Sequence, residues 1–362
     1  MPMSQHYDRL LFGATIFLTA VGLAVMGSAS WVLTAERYHR APSYFLIWQG
    51  ATALVGLALM LAAMHLKIHI IFQPRVVSGF LFFSWALLGA AYLQTPINAT
   101  HRWLRVAGFS IQPSAIARLA TLLFIAVFLA KLSEKDHDWR QQLPIAGAAA
   151  FSVLLILGEP DLGSAFVLAA ACAAVFFAAG VSIRHFLPVI ILGIGGLIYS
   201  VISSPYRLDR IRAFIGSGAD HAGYQSQQAL IAIGSGGLLG RGYGSGLQKL
   251  FFLPEPHTDF VFASTAEELG LIGMLILMTL VAIIAWRGLR VALAQRLPAA
   301  ALASLGITMV FALQSLIHMG VCLRMLPPKG IPFPLVSYGK TDLLMTLVSI
   351  GLLLNFSRGI RT

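Results

Sequence analysis

The chain has 362 residues, of which 58% are hydrophobic and only 11% are charged, with a mean hydropathy of +0.81. Because soluble domains carry about 25% charged residues, this composition excludes an ordinary soluble protein and indicates a polytopic membrane protein. The net charge of +11 would suggest a nucleic acid partner for a soluble protein. In a membrane protein, basic cytoplasmic loops and contacts with anionic membrane lipids explain it better, so we expect no nucleic acid partner.

The apolar runs predict about ten transmembrane helices, because one span needs about 20 mostly apolar residues. In chain order the predicted spans are residues 10–30, 44–65, 76–93, 114–129, 143–157, 162–181, 186–203, 265–286, 298–320 and 338–356. The predicted fold class is therefore an all-α polytopic membrane protein.

One long polar segment, residues 204–256, interrupts the spans and is too rich in Gly, Ser and Gln to cross a bilayer. Extended to about residue 264, it predicts a long extracytoplasmic loop between the seventh and eighth helices. Its glycine run at residues 234–246 could cradle a phosphate, but no strand-to-helix turn supports such a site. A flexible, lipid-facing loop is the commoner outcome for such a run.

Ten spans place both termini on one side of the membrane. The loops and tails on that side contain more Lys and Arg than the short loops on the other side, with Lys131, Lys135 and Arg140 in one loop. This asymmetry predicts cytoplasmic N- and C-termini. The long loop and Asp259 then lie outside the cytoplasm.

Four polar clusters flank the spans on the predicted outer side. They are Arg102 with Arg105, Glu159 with Asp161, the loop 207–259, and a group made of Arg324, Lys329, Lys340 and Asp342. Their convergence would form an exterior site that is lined by cations around one favoured carboxylate. That carboxylate is Asp259, which stands between His257-Thr258 and the apolar run 260–263.

Such a site suits glycosyl transfer from a lipid diphosphate. The diphosphate leaving group needs no acid, since cations or a divalent metal ion can stabilise its charge. One general base must remove the proton of the attacking sugar hydroxyl, whereas a glycosidase normally requires two carboxylates. Asp259 is the candidate base, and a cap on the eighth helix is its equally weighted alternative.

Other charged residues have structural alternatives. Ser264 and Glu267 fit a capping box at a helix start, and Glu268 would gain from the same helix dipole. Asp161 fits an N-cap of the sixth span. Arg118, one turn inside the fourth span, is either a functional intramembrane charge or a side chain that extends outward to the interface.

Four ordered motifs carry a resemblance to a known family. They are R-W-L-R with Q-P-S (102–114), G-E-P-D-L-G (158–163), the stretch 224–270 that contains P-E-P-H-T-D-F, and M-L-P-P-K-G-I-P-F-P-L-V-S-Y-G (325–339). Together they resemble the SEDS family (FtsW/RodA/SpoVE) nearly from end to end, and more closely its FtsW branch.

This resemblance implies one SEDS-type transmembrane domain over residues 1–362 and a peptidoglycan glycosyltransferase that polymerises lipid II at the outer face of the bacterial cytoplasmic (inner) membrane. It also implies undecaprenyl-diphosphate-linked glycan as substrate and a class B penicillin-binding protein transpeptidase as partner. The family's essential aspartate corresponds to Asp259. No cofactor is implied, although a divalent cation could accompany the diphosphate. The expected substrate-binding residues are Arg102, Arg105, Arg118, Lys329, Lys340, Asp342 and Ser337.

Two departures from the family pattern bear on activity. The family's Q-P-S-E is here completed by Ala115, and its S-Y-G-G-S-S reads S-Y-G-K-T-D, with Lys340 and Asp342. Asp342 could replace the missing carboxylate if the two helix starts are neighbours. The sequence also leaves two other functions open, a transporter (flippase) of lipid-linked precursors and a divergent, non-catalytic cell-division scaffold.

Overall fold

The computed structural model describes residues 7–36, 39–94, 102–106, 109–132, 139–181, 221–250 and 252–358, together with Gly195 and Ile202. Its helices are α1 (Arg9–Glu36), α2 (Tyr44–His65), α3 (Ile68–Ile71), α4 (Pro74–Tyr92), α5 (Pro113–Leu132), α6 (Trp139–Gly158), α7 (Leu162–Ala178), α8 (His221–Gly236), α9 (Val261–Ala294), α10 (Pro298–Cys322) and α11 (Lys340–Ser357). Two short strands, β1 (Leu104–Val106) and β2 (Phe109–Ile111), pair antiparallel.

Eight of the described helices are long and apolar enough to cross a membrane, namely α1, α2, α4, α5, α6, α9, α10 and α11. The apolar helix α7 is shorter, with 17 residues. These nine helices coincide with nine of the predicted spans and confirm the all-α polytopic fold class. The predicted seventh span, residues 186–203, lies outside the described residues apart from Gly195 and Ile202.

Small residues let the helices approach closely, as is usual in membrane bundles. Where α2 packs on α11, a β-carbon at Gly351 would lie only 2.5 Å from the Met60 carbonyl oxygen. A β-carbon at Gly56 would lie 2.5 Å from Leu347 Cδ1. These contacts pack the middle and the second half of α11 against α2.

Both ends of the described chain meet at one end of the bundle. The Asp8 backbone N–H donates to the Ser357 hydroxyl at 3.0 Å, and the Asp8 carboxylate forms an ion pair with Arg287 at 2.6 Å. This contact agrees with an even number of spans. That this end of the bundle, with both chain termini, faces the cytoplasm stays a prediction.

The long polar segment is more ordered than the sequence predicts. It contains α8, and the turn after α8 is bonded to α9, which begins at Val261 rather than at residue 265. The Arg241 N–H donates to the Glu267 carbonyl and the Leu271 N–H donates to the Gly237 carbonyl, both at 3.0 Å. The expectation of a flexible glycine run is therefore wrong, because these bonds anchor its backbone.

Glycine is required where the two backbones meet. A β-carbon at Gly236 would lie 1.9 Å from the Ala266 carbonyl oxygen, so α8 and α9 could not approach with any side chain there. Gly270 has φ 65° and ψ −160°, a conformation that other residues rarely adopt, and it interrupts α9. The interruption leaves the backbone of α9 able to bond with the segment that follows α8.

Candidate active site

Asp259 lies half-buried in the turn that precedes α9. Its backbone N–H donates to the Glu255 carbonyl at 3.1 Å, and the N-cap of α9 is Phe260. The alternative role of Asp259 as helix cap is therefore wrong. Its carboxylate lies over Gly330, since a β-carbon at that glycine would be 3.1 Å from Asp259 Oδ2. Gly330 is exposed, so this part of the site is open.

The loop that contains Gly330 is fastened to the turn that contains Asp259. The Ser337 hydroxyl donates to the Thr258 carbonyl at 2.5 Å and accepts from the Phe333 N–H at 2.8 Å. The Tyr338 N–H donates to the His257 carbonyl at 2.9 Å. Ser337 was predicted to bind substrate, and its contacts favour a role in positioning the loop; substrate binding stays a prediction.

The turn between α6 and α7 contributes two acids. Asp161 is the N-cap of α7 and accepts from the Ser164 N–H at 3.2 Å, which confirms its predicted capping role. The Gln112 side-chain amide also donates to Asp161, at 3.3 Å. Glu159 is fully buried, and neither of its carboxylate oxygens has a hydrogen-bond partner among the described residues.

Burial determines the protonation of Glu159. The pKa of Glu159 is raised from 4.5 to about 8, mainly by burial and also by the Asp161 carboxylate, while Arg102 opposes the shift. Glu159 is therefore mostly protonated at neutral pH. The Arg102 guanidinium, which is half-buried, donates to the Pro160 carbonyl between the two acids.

Lys329 lies near Asp161 and directly precedes Gly330, the residue beneath Asp259. Burial lowers the pKa of the Lys329 ammonium, and the nearby Asp161 carboxylate opposes that shift. Lys329 is also the neighbour of Gly330 in the chain. The structure thus brings together residues from all four predicted polar clusters, and we call them the Asp259 cluster: Arg102, Glu159, Asp161, Asp259 and Lys329.

Arg118 and Asp342 form a separate, buried pair. Arg118 Nη2 lies 2.5 Å from Asp342 Oδ1, and Arg118 Nη1 donates to Gln314 Oε1 at 2.5 Å. The alternative in which Arg118 extends outward is therefore wrong. The starts of α5 and α11 are neighbours, so Asp342 does supply a carboxylate beside Arg118. Binding of substrate by either residue stays a prediction, and their mutual pairing does not favour it.

Lys340 and Arg105 lie in other surroundings. The Lys340 ammonium lies 4.4 Å from the centre of the Trp48 ring, a cation–π contact. Arg105 is exposed in β1, and its backbone N–H donates to the Gln94 side chain at 2.8 Å. No contact among the described residues joins either side chain to Asp259, and their predicted binding of substrate stays untested.

Glu267 and Glu268 fasten the long segment to α9. Glu267 accepts from the backbone N–H groups of Leu247 at 2.7 Å and Gln248 at 3.1 Å. The predicted capping box with Ser264 is wrong, because α9 begins three residues before Ser264. Glu268 forms a buried ion pair with Lys249 at 2.6 Å. Both acids therefore have structural partners.

The described residues do not fit a metal site. They contain no group of three or more His, Cys, Asp or Glu side chains that could hold a metal ion. Glu159 and Asp161 are close together, but the charges of Arg102 and Lys329 oppose a cation beside them. The divalent cation expected at the diphosphate stays a prediction.

Comparisons with known proteins agree with this architecture. The sequence profile of a family described as "Cell cycle protein" (FtsW/RodA/SpoVE) matches residues 8–362. The chain belongs to the FtsW/RodA/SpoVE family. A relative from Coxiella burnetii is named "Probable peptidoglycan glycosyltransferase FtsW". It is 38% identical over an alignment of 367 positions, gaps included, which covers 98% of this chain and 97% of the relative.

Two solved structures resemble this FtsW/RodA/SpoVE family member over almost its full length. A chain described under "Structural coordination of polymerization and crosslinking by a peptidoglycan synthase complex" has a TM-score of 0.78 and 27% identity, covering 97% of this chain and 98% of that chain. The rod shape determining protein RodA of Thermus thermophilus has a TM-score of 0.72 and 26% identity, covering 100% of both chains.

Sequence reasoning about this family member placed Glu159 in a polar cluster of the exterior site but assigned it no role in binding or catalysis. The available signal was a second acid beside Asp161 in G-E-P-D-L-G, placed between two apolar spans. What the sequence lacks is the burial of Glu159 and its closeness to Arg102.

Proposed function

We propose that this chain is a peptidoglycan glycosyltransferase that polymerises lipid II into glycan strands at the outer face of the bacterial inner membrane. The observation that carries the proposal is the position of Asp259. Its carboxylate lies at an open edge of the bundle, over Gly330 and beside a loop that contains a cation, Lys329. The names of the relatives support the same reaction class.

The proposed reaction uses Asp259 as general base. Asp259 takes the proton of the 4-hydroxyl of a lipid II N-acetylglucosamine, and that oxygen attacks the anomeric carbon of the growing, undecaprenyl-diphosphate-linked glycan. The new O4–C1 bond forms as the bond from C1 to the phosphate oxygen breaks, with inversion at C1. Undecaprenyl diphosphate leaves with the bonding electrons. A positioned base contributes about 10²–10⁴-fold to such a step.

Arg102 and Lys329 are the proposed diphosphate-binding residues. Both lie at the Asp161 turn, where a leaving diphosphate would place its negative charge beside two cations. Because Glu159 is mostly protonated at neutral pH, the charge of Arg102 is not cancelled by it. This combination makes the cluster attractive to an anion although it contains two further acids.

The proposed partner is a class B penicillin-binding protein transpeptidase. The related synthase complex couples polymerisation to crosslinking, which supports a crosslinking partner for this chain. In the proposed orientation both termini are cytoplasmic, and the Asp259 cluster faces the side on which the glycan is assembled.

Purified protein in liposomes with fluorescent lipid II tests the proposal. We expect a ladder of glycan strands on a gel, obtained with the chain alone or with its transpeptidase partner. The same vesicles report the transbilayer movement of lipid II. Movement of lipid II without polymerisation would contradict the proposal and favour a transporter. Loss of both activities, with normal recruitment of the partner in cells, would favour a scaffold.

A further inference from the structure

Arg118, Asp342 and Gln314 form a closed polar cluster inside the bundle. Arg118 binds Asp342 Oδ1 and Gln314 Oε1, each at 2.5 Å, and Gln314 Nε2 donates to Asp342 Oδ2 at 3.0 Å. All three residues are buried, with exposures of 6% or less. The cluster joins α5, α10 and α11, one residue from each helix.

The cluster also bonds to the loop that underlies Asp259. Gln314 Nε2 donates to the Pro332 carbonyl at 3.0 Å, two residues after Gly330. Next to Asp342, the Thr341 hydroxyl accepts from the Gln112 N–H at 3.1 Å, and Gln112 also bonds to Asp161. These two sets of hydrogen bonds connect the cluster to the loop of Gly330 and to Asp161, both of which belong to the proposed active site.

We infer that the Arg118–Asp342–Gln314 cluster is a positioning element that holds the Lys329–Gly330 segment under the Asp259 carboxylate. Its three residues act through Pro332 and need not touch substrate. The expected effect of the cluster on turnover rests on the proposed function. Its expected effect on the position of the Lys329–Gly330 segment does not.

Electrostatics explains why the cluster depends on Asp342. A charged group inside a membrane is stable only with a partner, and removal of one member of a buried pair leaves an uncompensated charge. Without Asp342, Arg118 would keep only Gln314 as its acceptor. Gln314 would also lose one of its two acceptors, which weakens its hold on Pro332.

Position 115 offers a place to restore the charge. Ala115 precedes Arg118 by three residues on α5, a spacing that places the two side chains on one helix face. Ala115, Arg118 and Gln314 line the same narrow crevice, which has a volume of about 40 Å³. A glutamate at position 115 would therefore reach Arg118 from the same helix.

The test compares Asp342→Ala alone with two double variants, Asp342→Ala/Ala115→Glu and Asp342→Ala/Ala115→Gln. We expect the single variant to lower the lipid II polymerisation rate about 10–100-fold, because small displacements of reacting groups have effects of this size. Ala115→Glu should restore the rate to within about threefold of wild type, since the i, i+3 spacing allows a new pair. Equal restoration by Ala115→Gln would overturn the inference, because charge would then be unnecessary.

Hydrogen–deuterium exchange of residues 327–339 gives a second readout that needs no catalysis. Exchange should increase in Asp342→Ala and return to the wild-type rate with Ala115→Glu. Unchanged exchange in Asp342→Ala would contradict the inference. If the wild-type protein makes no glycan, the proposed function fails, and exchange alone then decides whether the cluster holds the loop.

An apolar replacement of the pair separates folding from positioning. Arg118→Met/Asp342→Leu removes both charges, and such replacements are often neutral or stabilising. We expect this variant to keep the wild-type melting temperature while exchange at residues 327–339 increases. Wild-type exchange and wild-type turnover in this folded variant would overturn the inference.

Discussion

The Asp259 carboxylate lies so close to Gly330 that a β-carbon at position 330 would be 3.1 Å from Oδ2 and 3.5 Å from Cγ. The two residues belong to loops that are held together by the Ser337–Thr258 hydrogen bond of 2.5 Å. The backbone of Gly330 is not in the left-handed region, so the position needs a small residue rather than an unusual conformation. Glycine at position 330 therefore leaves room for the carboxylate of Asp259, the proposed base.

Gly330→Ala should lower turnover without unfolding the protein. The added methyl carbon would lie closer to Asp259 Oδ2 than an ordinary van der Waals distance, and it would therefore displace the carboxylate. We expect a decrease of about tenfold or more in the lipid II polymerisation rate, because misplacement of a reacting group has large effects. The melting temperature should change little, since the displaced group is the end of a side chain.

Gly79→Ala is the matched control for this prediction. Gly79 lies in α4, and a β-carbon there would have no atom within 4 Å apart from its own helix and neighbours. It should leave the rate unchanged. Equal rates for Gly330→Ala and wild type would show that Asp259 does not depend on this contact.

Gly236→Ala should destabilise the protein strongly. Its β-carbon would meet the Ala266 carbonyl oxygen at 1.9 Å, so the backbones of α8 and α9 would have to separate. Overpacking of this kind costs about 1–3 kcal/mol or more, which predicts a lower melting temperature and less folded protein. Thermal melting in detergent, followed by size-exclusion chromatography, measures both.

Gly234→Ala provides the comparison within the same helix. A β-carbon at Gly234 would meet nothing within 4 Å, so the melting temperature of this variant should not fall below that of wild type. If both variants melted alike, the close approach of α8 to α9 would be disproved.

Glu159→Gln should change how stability depends on pH. The pKa of Glu159 is raised from 4.5 to about 8 by burial, so the unfolded chain ionises before the folded one as the pH rises. Stability from the protonated acid is complete below about pH 4.5 and is lost as the pH rises through about 8. Glutamine cannot ionise and does not lose this contribution. The variant should therefore gain melting temperature relative to wild type as the pH rises, with the gain levelling off above about pH 8.

Thermal melts between about pH 5 and about pH 9 measure this difference. Glu255→Gln makes the same chemical change at a half-exposed carboxylate and serves as the matched control. A constant difference between wild type and Glu159→Gln over the whole range would contradict the burial and protonation of Glu159.

The sequence was sufficient for the spans and for part of the site. The prediction of 44–65 matches α2 because its apolar run is bounded by polar residues at both ends. Counting the predicted spans also placed the loops that contain Arg102, Glu159, Asp259 and Lys329 on the same side of the membrane. Those loops do meet, since helices of a bundle present their connecting loops at shared ends.

Long-range contacts were beyond the sequence. The partner of Arg118 lies 224 residues away, and Gln314, which completes that cluster, is an ordinary polar residue in an apolar helix. The anchoring of the glycine run also depends on a break in α9 at Gly270, inside an otherwise continuous helical pattern. Local sequence patterns identify helices. They do not reveal which backbone groups become free, where a helix is broken, to form hydrogen bonds with another segment.

Polymerisation of lipid II by Asp259→Asn, compared with Glu255→Gln in the same preparation, tests the central claim most directly. The two changes replace an acid with its amide four residues apart in one turn. With Asp259 as general base, Asp259→Asn should lose about 10²–10⁴-fold in turnover while it still binds lipid II, and Glu255→Gln should keep wild-type turnover. Wild-type turnover in a folded Asp259→Asn protein would contradict the role of Asp259.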